Sequence, residues 1–255
     1  MRIPVIRGLI ERRILVNYRV DPDILVSVLP NIFRPKLVNG MGMAGVCLIR
    51  LKNIRPWFLP AFTGISSENA AHRIAVEWDE NGETREGVFV PRRDTSSRLN
   101  TLLGGRLFPG MHNHASFHVQ EGDGGLCVEL TSDDKLTHLL VEGKVVEDLP
   151  ATSVFETLSD ASQFYERGSL GYSATTTPGQ FDGLELHTFN WHVRPLDVTR
   201  VKSSFFDDQK LFPAGSVNFD CALVMHAIEH EWHAKKCLCL KSGSARTKES
   251  PQNVR

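Results

Sequence analysis

Apolar and polar residues alternate with a period of two along most of the 255-residue chain. Only three short windows switch to a helical period, which predicts a mainly β protein of the α+β type with about three short helices. Arg13 to Val20 has the β-branched and aromatic content of a strand. Asp21-Pro22 then supplies a cap and a first-turn proline for a helix whose apolar face is Ile24, Leu25 and Val28, closed by Pro30. Leu37 to Ile54 is apolar but interrupted by Gly40, Gly42 and Gly45, which fits strands with a turn or bulge better than a helix. A second helix is expected from Asp94, as cap, to Gly104, and a third from Ser159, as cap, to Gly168. Further strands are expected at Met111 to Gln120, Leu126 to Leu130, Leu136 to Val146 and Leu184 to Val193. Pro195 to Val201 reads as an edge strand, and Ser216 to Leu240 holds the last strands.

From His72 to Pro91 the chain spells a hairpin with Asn81-Gly82 at its tip, the pair that accepts positive φ at both turn positions. A two-residue turn sets Glu80 opposite Glu83 and Glu77 opposite Glu86. One face then carries His72, Ile74, Val76, Trp78, Gly87 and Phe89 and reads as core. The other carries Arg73, Ala75, Glu77, Glu86, Val88, Val90 and Arg92, a mixture that suits a polar-lined cavity as well as it suits solvent. The aromatic stretch Trp57 to Phe62 reads as a rim loop or a buried connection.

Composition narrows the class. Hydrophobic residues make up 41% and charged residues 23%, enough apolar mass for a real core. With no repeat, linker or composition break, residues 1–240 are expected to form one domain, and the polar stretch 241–255 a disordered tail. The formal net charge of -1 gives no global field for nucleic acid or an anionic membrane. Five cysteines, an odd number, with no signal-like N-terminus predict reduced thiols and a cytoplasmic location. Cys237-x-Cys239 lacks the spacer of zinc and redox motifs and is expected to fill core on one strand face. No apolar run reaches the roughly 20 residues of a membrane helix.

Tyr18-Arg19-x-Asp21, Leu29-Pro30, Arg85-Glu86 with Pro91-Arg92-Arg93, and Phe219 to Met225, taken with the order of elements, resemble the acetoacetate decarboxylase superfamily. Tyr18-Arg19-x-Asp21 and Leu29-Pro30 resemble its opening, and Arg85-Glu86 with Pro91-Arg92-Arg93 lines up with its Arg-Glu to Pro-Lys-Lys segment. Phe206-Asp207 and Phe219 to Met225 resemble its C-terminal strands. Ser153-x-Phe155, Ser162-x-x-Phe164-Tyr165 and Gly171-Tyr172-Ser173 look closer to an uncharacterised bacterial branch. The resemblance spans nearly the whole chain. It implies a single-domain, cone-like antiparallel β-barrel or sandwich with the active site inside, and a tendency to form homo-oligomers.

The chain departs from the family where the family keeps its nucleophile. The decarboxylases use the first lysine after the proline for a Schiff base, its pKa lowered by its neighbour. Here Arg92 and Arg93 occupy those positions. Guanidinium stays protonated and has no free amine, so no imine forms at Arg92. Decarboxylation by the family route would need another lysine, such as Lys52, Lys135 or Lys202, in the same cavity. Two adjacent arginines can instead hold a carboxylate or phosphate bidentately.

Alternation puts Glu86 and Arg92 on one face, so both are candidate catalytic residues, Glu86 orienting Arg92 or acting as a general base. Arg92, Arg93, Arg73, Glu77 and Arg106 are the candidate substrate-binding residues, for a small anionic ligand and with no cofactor. His112, His114 and His118 share a strand face and form a weak alternative metal site. His226 to His230 matches an inverted zincin motif, but that motif needs a helix and a downstream acid, and this segment reads as a strand. Three readings stay open: a lyase or hydratase acting without an imine, a non-catalytic sensor or carrier, and a histidine-metal enzyme.

Overall fold

The computed structural model describes residues 5–105, 109–122 and 124–240. The strands are β1 (Val5–Val20), β2 (Arg34–Pro35), β3 (Leu37–Val38), β4 (Met41–Pro56), β5 (Ile65–Glu80), β6 (Glu83–Thr95) and β7 (Asn113–Gly122). They continue as β8 (Gly125–Ser132), β9 (His138–Val145), β10 (Leu170–Ala174), β11 (Gln180–Thr188), β12 (Arg194–Ser203) and β13 (Val217–Cys239). All belong to one sheet, in which the path β11-β10-β6-β7-β8-β9-β12-β13-β1-β4-β5 curls into a ring.

The ring closes twice, because β6 also pairs β5 and β11 also pairs β13. Both closures depend on a strand that changes partner along its length. β6 pairs β10 at Val88 and Phe89 but β7 at Asp94 and Thr95. β13 pairs β12 at Ala222 to Val224 and β11 from His230 to Cys239. The strands β13, β1, β4, β5 and β6 are therefore a wall common to both closures. The two β6 pairings with β7 and β10 are parallel, and the other pairings described are antiparallel. Expected as an edge, β12 instead lies between β9 and β13, its contact with β13 limited to Arg194, Pro195 and Leu196.

Local sequence explains the turns. Asn81 and Gly82 have φ of 53° and 83°, the two left-handed positions of a type I′ turn. The hairpin consequently holds the predicted register, with Glu80 opposite Glu83 and Glu77 opposite Glu86. Asn39-Gly40 repeats the device between β3 and β4.

The three expected helices form, two with different caps. Asp21 caps α1 (Pro22–Val28), its carboxylate accepting from the Asp23 amide. Ser97, not Asp94, caps α2 (Arg98–Leu103), because Asp94 lies within β6 and its carboxylate is engaged by Arg92. Thr157, not Ser159, caps α3 (Leu158–Arg167), since Asp160 completes a capping box with it.

The wall is apolar on both faces. One face packs Ile14, Val16, Ile74, Val76, Trp78 and Phe89 against β7, β8, β9 and β12. The other packs Leu15, Cys47 and Ala75 against Ala161 and Tyr165 of α3. Cys237 and Cys239 sit at the exposed end of β13 rather than in a core. Trp57, Phe58 and Phe62 are exposed. The expected 241–255 tail lies outside the described residues. Among the described residues no helix is long and apolar enough to cross a membrane.

Candidate functional site

The alternation that puts Glu86 and Arg92 on one face fails at a single step. His72 pairs Arg92 and Ile74 pairs Phe89, which leaves Arg73 alone opposite both Val90 and Pro91. Two residues against one is a β-bulge, and Pro91, with no N–H to donate, is a favourable place for it. Beyond the bulge the side-chain parity inverts. Val88, Val90 and Arg93 line one cavity, while Arg92 turns to the His72 side of the sheet. There its Nη2 donates to Asp94 Oδ1 at 2.8 Å and to Asp134 at 2.9 Å. Burial raises the Asp94 pKa despite the guanidinium beside it. The Ser132 hydroxyl, with further hydrogen bonds and Arg92, lowers Asp134 to about 2.

The cavity that Arg93 faces holds three arginines from three strands of the common wall. Arg13 of β1, Arg73 of β5 and Arg93 of β6 enter one chamber of about 100 Å³, joined by Lys36 and by Tyr165 of α3. Among the described residues, no Asp or Glu lines it. Arg93 donates to the Ser173 hydroxyl from Nε (3.2 Å) and Nη2 (2.9 Å). Arg73, only 7% exposed, donates to Asn17 Oδ1 and lies 4.7 Å over the Tyr165 ring. Arg13 donates from Nε to Cys47 Sγ at 3.1 Å and lies 5.6 Å over Trp191.

Several donors in this chamber are left over. Arg13 Nη1, Arg73 Nε and the Tyr165 hydroxyl are buried without a hydrogen-bond partner. Such orphans are rare in a folded interior, where water, an ion or a ligand can satisfy them. Burial lowers the pKa of Arg73 and brings that of Arg93 down to about 10, still well above neutral for Arg93. Burial also raises the Tyr165 pKa well above its ordinary value, keeping it a neutral donor. The chamber therefore carries a positive field with unspent N–H and O–H groups.

A second chamber, of about 280 Å³, adjoins it and shares Ile49, Ala71, Arg93, Leu184 and Trp232 with the first.

The sequence matches the DUF2071 family, described as an uncharacterized conserved protein, over residues 10–222. This chain belongs to the DUF2071 family. A search of curated proteins finds no match. Solved structures share the fold at low identity. Acetoacetate decarboxylase from Legionella pneumophila aligns with a TM-score of 0.62 at 12% identity, covering 91% of this chain and 86% of that one. The enduracididine biosynthesis enzyme MppR, solved with pyruvate, gives 0.60 at 13% identity over 96% and 93%. An acetoacetate decarboxylase-like enzyme from Sphingomonas wittichii RW1 gives 0.60 at 12% identity over 95% of each chain. The DUF2071 chain thus has an acetoacetate decarboxylase-like fold.

On this DUF2071 scaffold the residues singled out from sequence separate into groups. Arg73 and Arg93 meet in the chamber; Arg92 does not reach it. Glu86 is bonded to Lys36 (2.6 Å), and Glu77 opposite it to Arg34 (3.2 Å), so the two acids are held apart by separate cations. Arg106 lies outside the described residues.

The three histidines do not converge. His112 Nδ1 donates to the Gly110 carbonyl at 3.2 Å, which fixes its tautomer and leaves Nε2 an acceptor at the second chamber. His114 pairs Asp133 at 2.9 Å and His118 bonds Gln120 at 3.0 Å. No group of three or more His, Cys, Asp or Glu among the described residues is placed to hold a metal ion. His226 and His230 lie on β13, one exposed and one buried, as a strand rather than a helix.

Arg13, Lys36 and Tyr165 escaped the sequence reading. Arg13 carried the one usable signal: it directly precedes the stretch of β1, Ile14 to Tyr18, that is buried on both faces.

Proposed function

We propose that this chain binds a small organic carboxylate or carbonyl compound in the three-arginine chamber, as a lyase or hydratase that works without an imine on Arg92 or Arg93. The carrying observation is a chamber lined by Arg13, Arg73 and Arg93 with no carboxylate in its walls and with buried donors unpaired. A carboxylate accepts from Arg73 and Arg93, and the Tyr165 hydroxyl donates to a carbonyl or hydroxyl oxygen beside it. The MppR structure with pyruvate supports a ligand of this class, since its chain shares the fold.

Lys36 lines the chamber and is the amine that imine chemistry would need. Its amine is held in an ion pair with Glu86 at 2.6 Å, and an ammonium has no lone pair to attack a carbonyl. In this reading Lys36 is the acid–base group at the chamber wall, and Glu86, outside the lining, holds it through their ion pair. A second reading, binding without catalysis, is favoured by the lining itself, which offers cations and a neutral phenol but no carboxylate base.

Pyruvate with borohydride is expected to leave the protein mass unchanged. A reduced adduct mapped to Lys36 would overturn the imine-free reading. Deuterium exchange at the α-carbon of a bound keto acid separates enzyme from carrier: exchange that is lost in Glu86→Gln supports catalysis, and no exchange with retained binding supports the carrier. Gly110, at φ 82°, would place a Cβ 2.8 Å from Arg93 Nε. Gly110→Ala is therefore expected to displace the Arg93 arm and weaken carboxylate binding about tenfold or more by calorimetry.

A further inference from the structure

We propose that the ligand is an amphipath: a carboxylate seated in the arginine chamber with an unbranched apolar tail of about eight carbons in the second chamber. This rests on the reading above and adds the substrate class. The two chambers share a wall formed by Ile49, Ala71, Arg93, Leu184 and Trp232, so Arg93 borders both. An anion on Arg93 thus sits where the two spaces meet, and in this proposal the rest of the ligand extends into the larger one.

The two spaces differ in chemistry. Three polar atoms of the first, Arg13 Nη1, Arg73 Nε and the Tyr165 hydroxyl, are left unpaired. Most of those of the second are engaged by the protein: Asn69 donates to the Ser67 carbonyl, Asn100 to the Ser67 hydroxyl, Arg55 to the Asn53 and Leu59 carbonyls, and Asp94 accepts from Arg92. His112 Nδ1 is bound to Gly110, which leaves its Nε2 as an acceptor there. What the second chamber offers a ligand is mainly apolar surface, from Leu51, Ile54, Ile65, Leu99 and Leu103. At about 30 Å³ for a group the size of a water or a methylene, its 280 Å³ takes a chain of about eight or nine such groups. Leu99 lines the chamber while 46% exposed, so the space reaches the surface beside α2. A compound as small as pyruvate would leave this volume unfilled.

The test is a calorimetric series of straight-chain carboxylates from acetate to decanoate against the full chain, with octanol as the uncharged control. Affinity is expected to rise about fourfold per methylene and to level off near eight carbons, with octanol at least tenfold weaker than octanoate. Leu103→Trp, which fills the tail space, is expected to lower the octanoate-to-butyrate affinity ratio more than tenfold. Leu99→Glu, at a partly exposed position and so without a large folding effect, is expected to lower the same ratio. Equal affinity for acetate and octanoate overturns the amphipath while leaving the carboxylate reading standing. Octanol binding as well as octanoate overturns it too, since the head would then contribute nothing. No binding by any carboxylate overturns both.

Discussion

Arg93→Met is expected to raise the dissociation constant for a carboxylate at least about thirtyfold with little loss of stability, whereas Arg92→Met is expected to do the reverse. Arg93 has a hydroxyl, not a carboxylate, as its partner, so its removal strands no buried anion. What it removes is a charge-assisted contact to the ligand in a desolvated chamber, a truncation that costs about 2–5 kcal/mol. Arg92 lies against Asp94, which is fully buried. Removing a partner from a buried ion pair destabilises by about 3–5 kcal/mol, because the other charge is left without compensation. Asp94 can relieve part of that by taking a proton, since burial already raises its pKa, and an effect of about 3 kcal/mol is expected. Urea unfolding and calorimetry on both variants check the pair. Asp94→Asn in the Arg92→Met background should restore part of the stability. If Arg92→Met lost ligand binding while remaining stable, the inverted parity at the bulge would be wrong and the family's nucleophile position would be the site after all.

Acid is expected to unfold the protein steeply, before most carboxylates titrate. His72 and His230 are 0% and 1% exposed, and neither has a hydrogen-bond partner for its ring nitrogens. Burial, with Arg92 nearby, lowers His72 to about 3, and burial lowers His230 to about 4. His72 is surrounded by Phe205 and Phe206, ring centroids 4.8 and 6.3 Å away. Each folded pKa is depressed below the unfolded value near 6.5, so the unfolded chain binds protons first. The stability these groups contribute is complete above about pH 6.5 and is lost as pH falls toward their folded values.

One such histidine gives about 1.4 kcal/mol per pH unit, and two give about 3, between roughly pH 6 and 4. Against a total of about 5–15 kcal/mol, that is most of the stability in two or three pH units. His112, lowered to about 3 by burial and Arg93, adds a smaller amount because it faces the second chamber. The urea midpoint should therefore drop sharply between pH 6 and 4.5. His72→Phe, which replaces an unbonded ring with an apolar one among phenylalanines, should make that slope shallower by about half. A midpoint that stays level down to pH 4.5 would show that these rings are solvated or paired.

The hairpin and the bulge divide what was legible in the chain. Asn81-Gly82 set the turn, the turn set the register, and the register put His72, Ile74, Val76 and Trp78 on one face and Arg73 on the other. Each of those steps is local, depending on two backbone conformations and a period of two. The helices were legible for the same reason, and their caps shifted only where a nearer partner was available: Asp94 held Arg92, and Thr157 had Asp160 three residues on. The Pro-Arg-Arg segment stood out through family resemblance, and Arg93 of it lines the chamber.

Which arginine faces the cavity was not. A period of two holds only while the ladder holds, and one unpaired residue at Val90-Pro91 exchanges the faces of everything after it. The partners of Arg93 were equally out of reach of a linear reading. Arg13, Lys36, Arg73 and Tyr165 stand in β1, before β3, in β5 and in α3, and they become neighbours only because the wall of β1, β4, β5 and β6 is covered by α3 and β11. The sequence by itself determined the strands, the turns and the absence of a free amine at Pro91-Arg92-Arg93, because local backbone preference and guanidinium chemistry need no distant contact. The tertiary structure alone decided that Arg93 enters the chamber and Arg92 closes on Asp94, because a bulge's parity and a cavity's lining are properties of strands brought together.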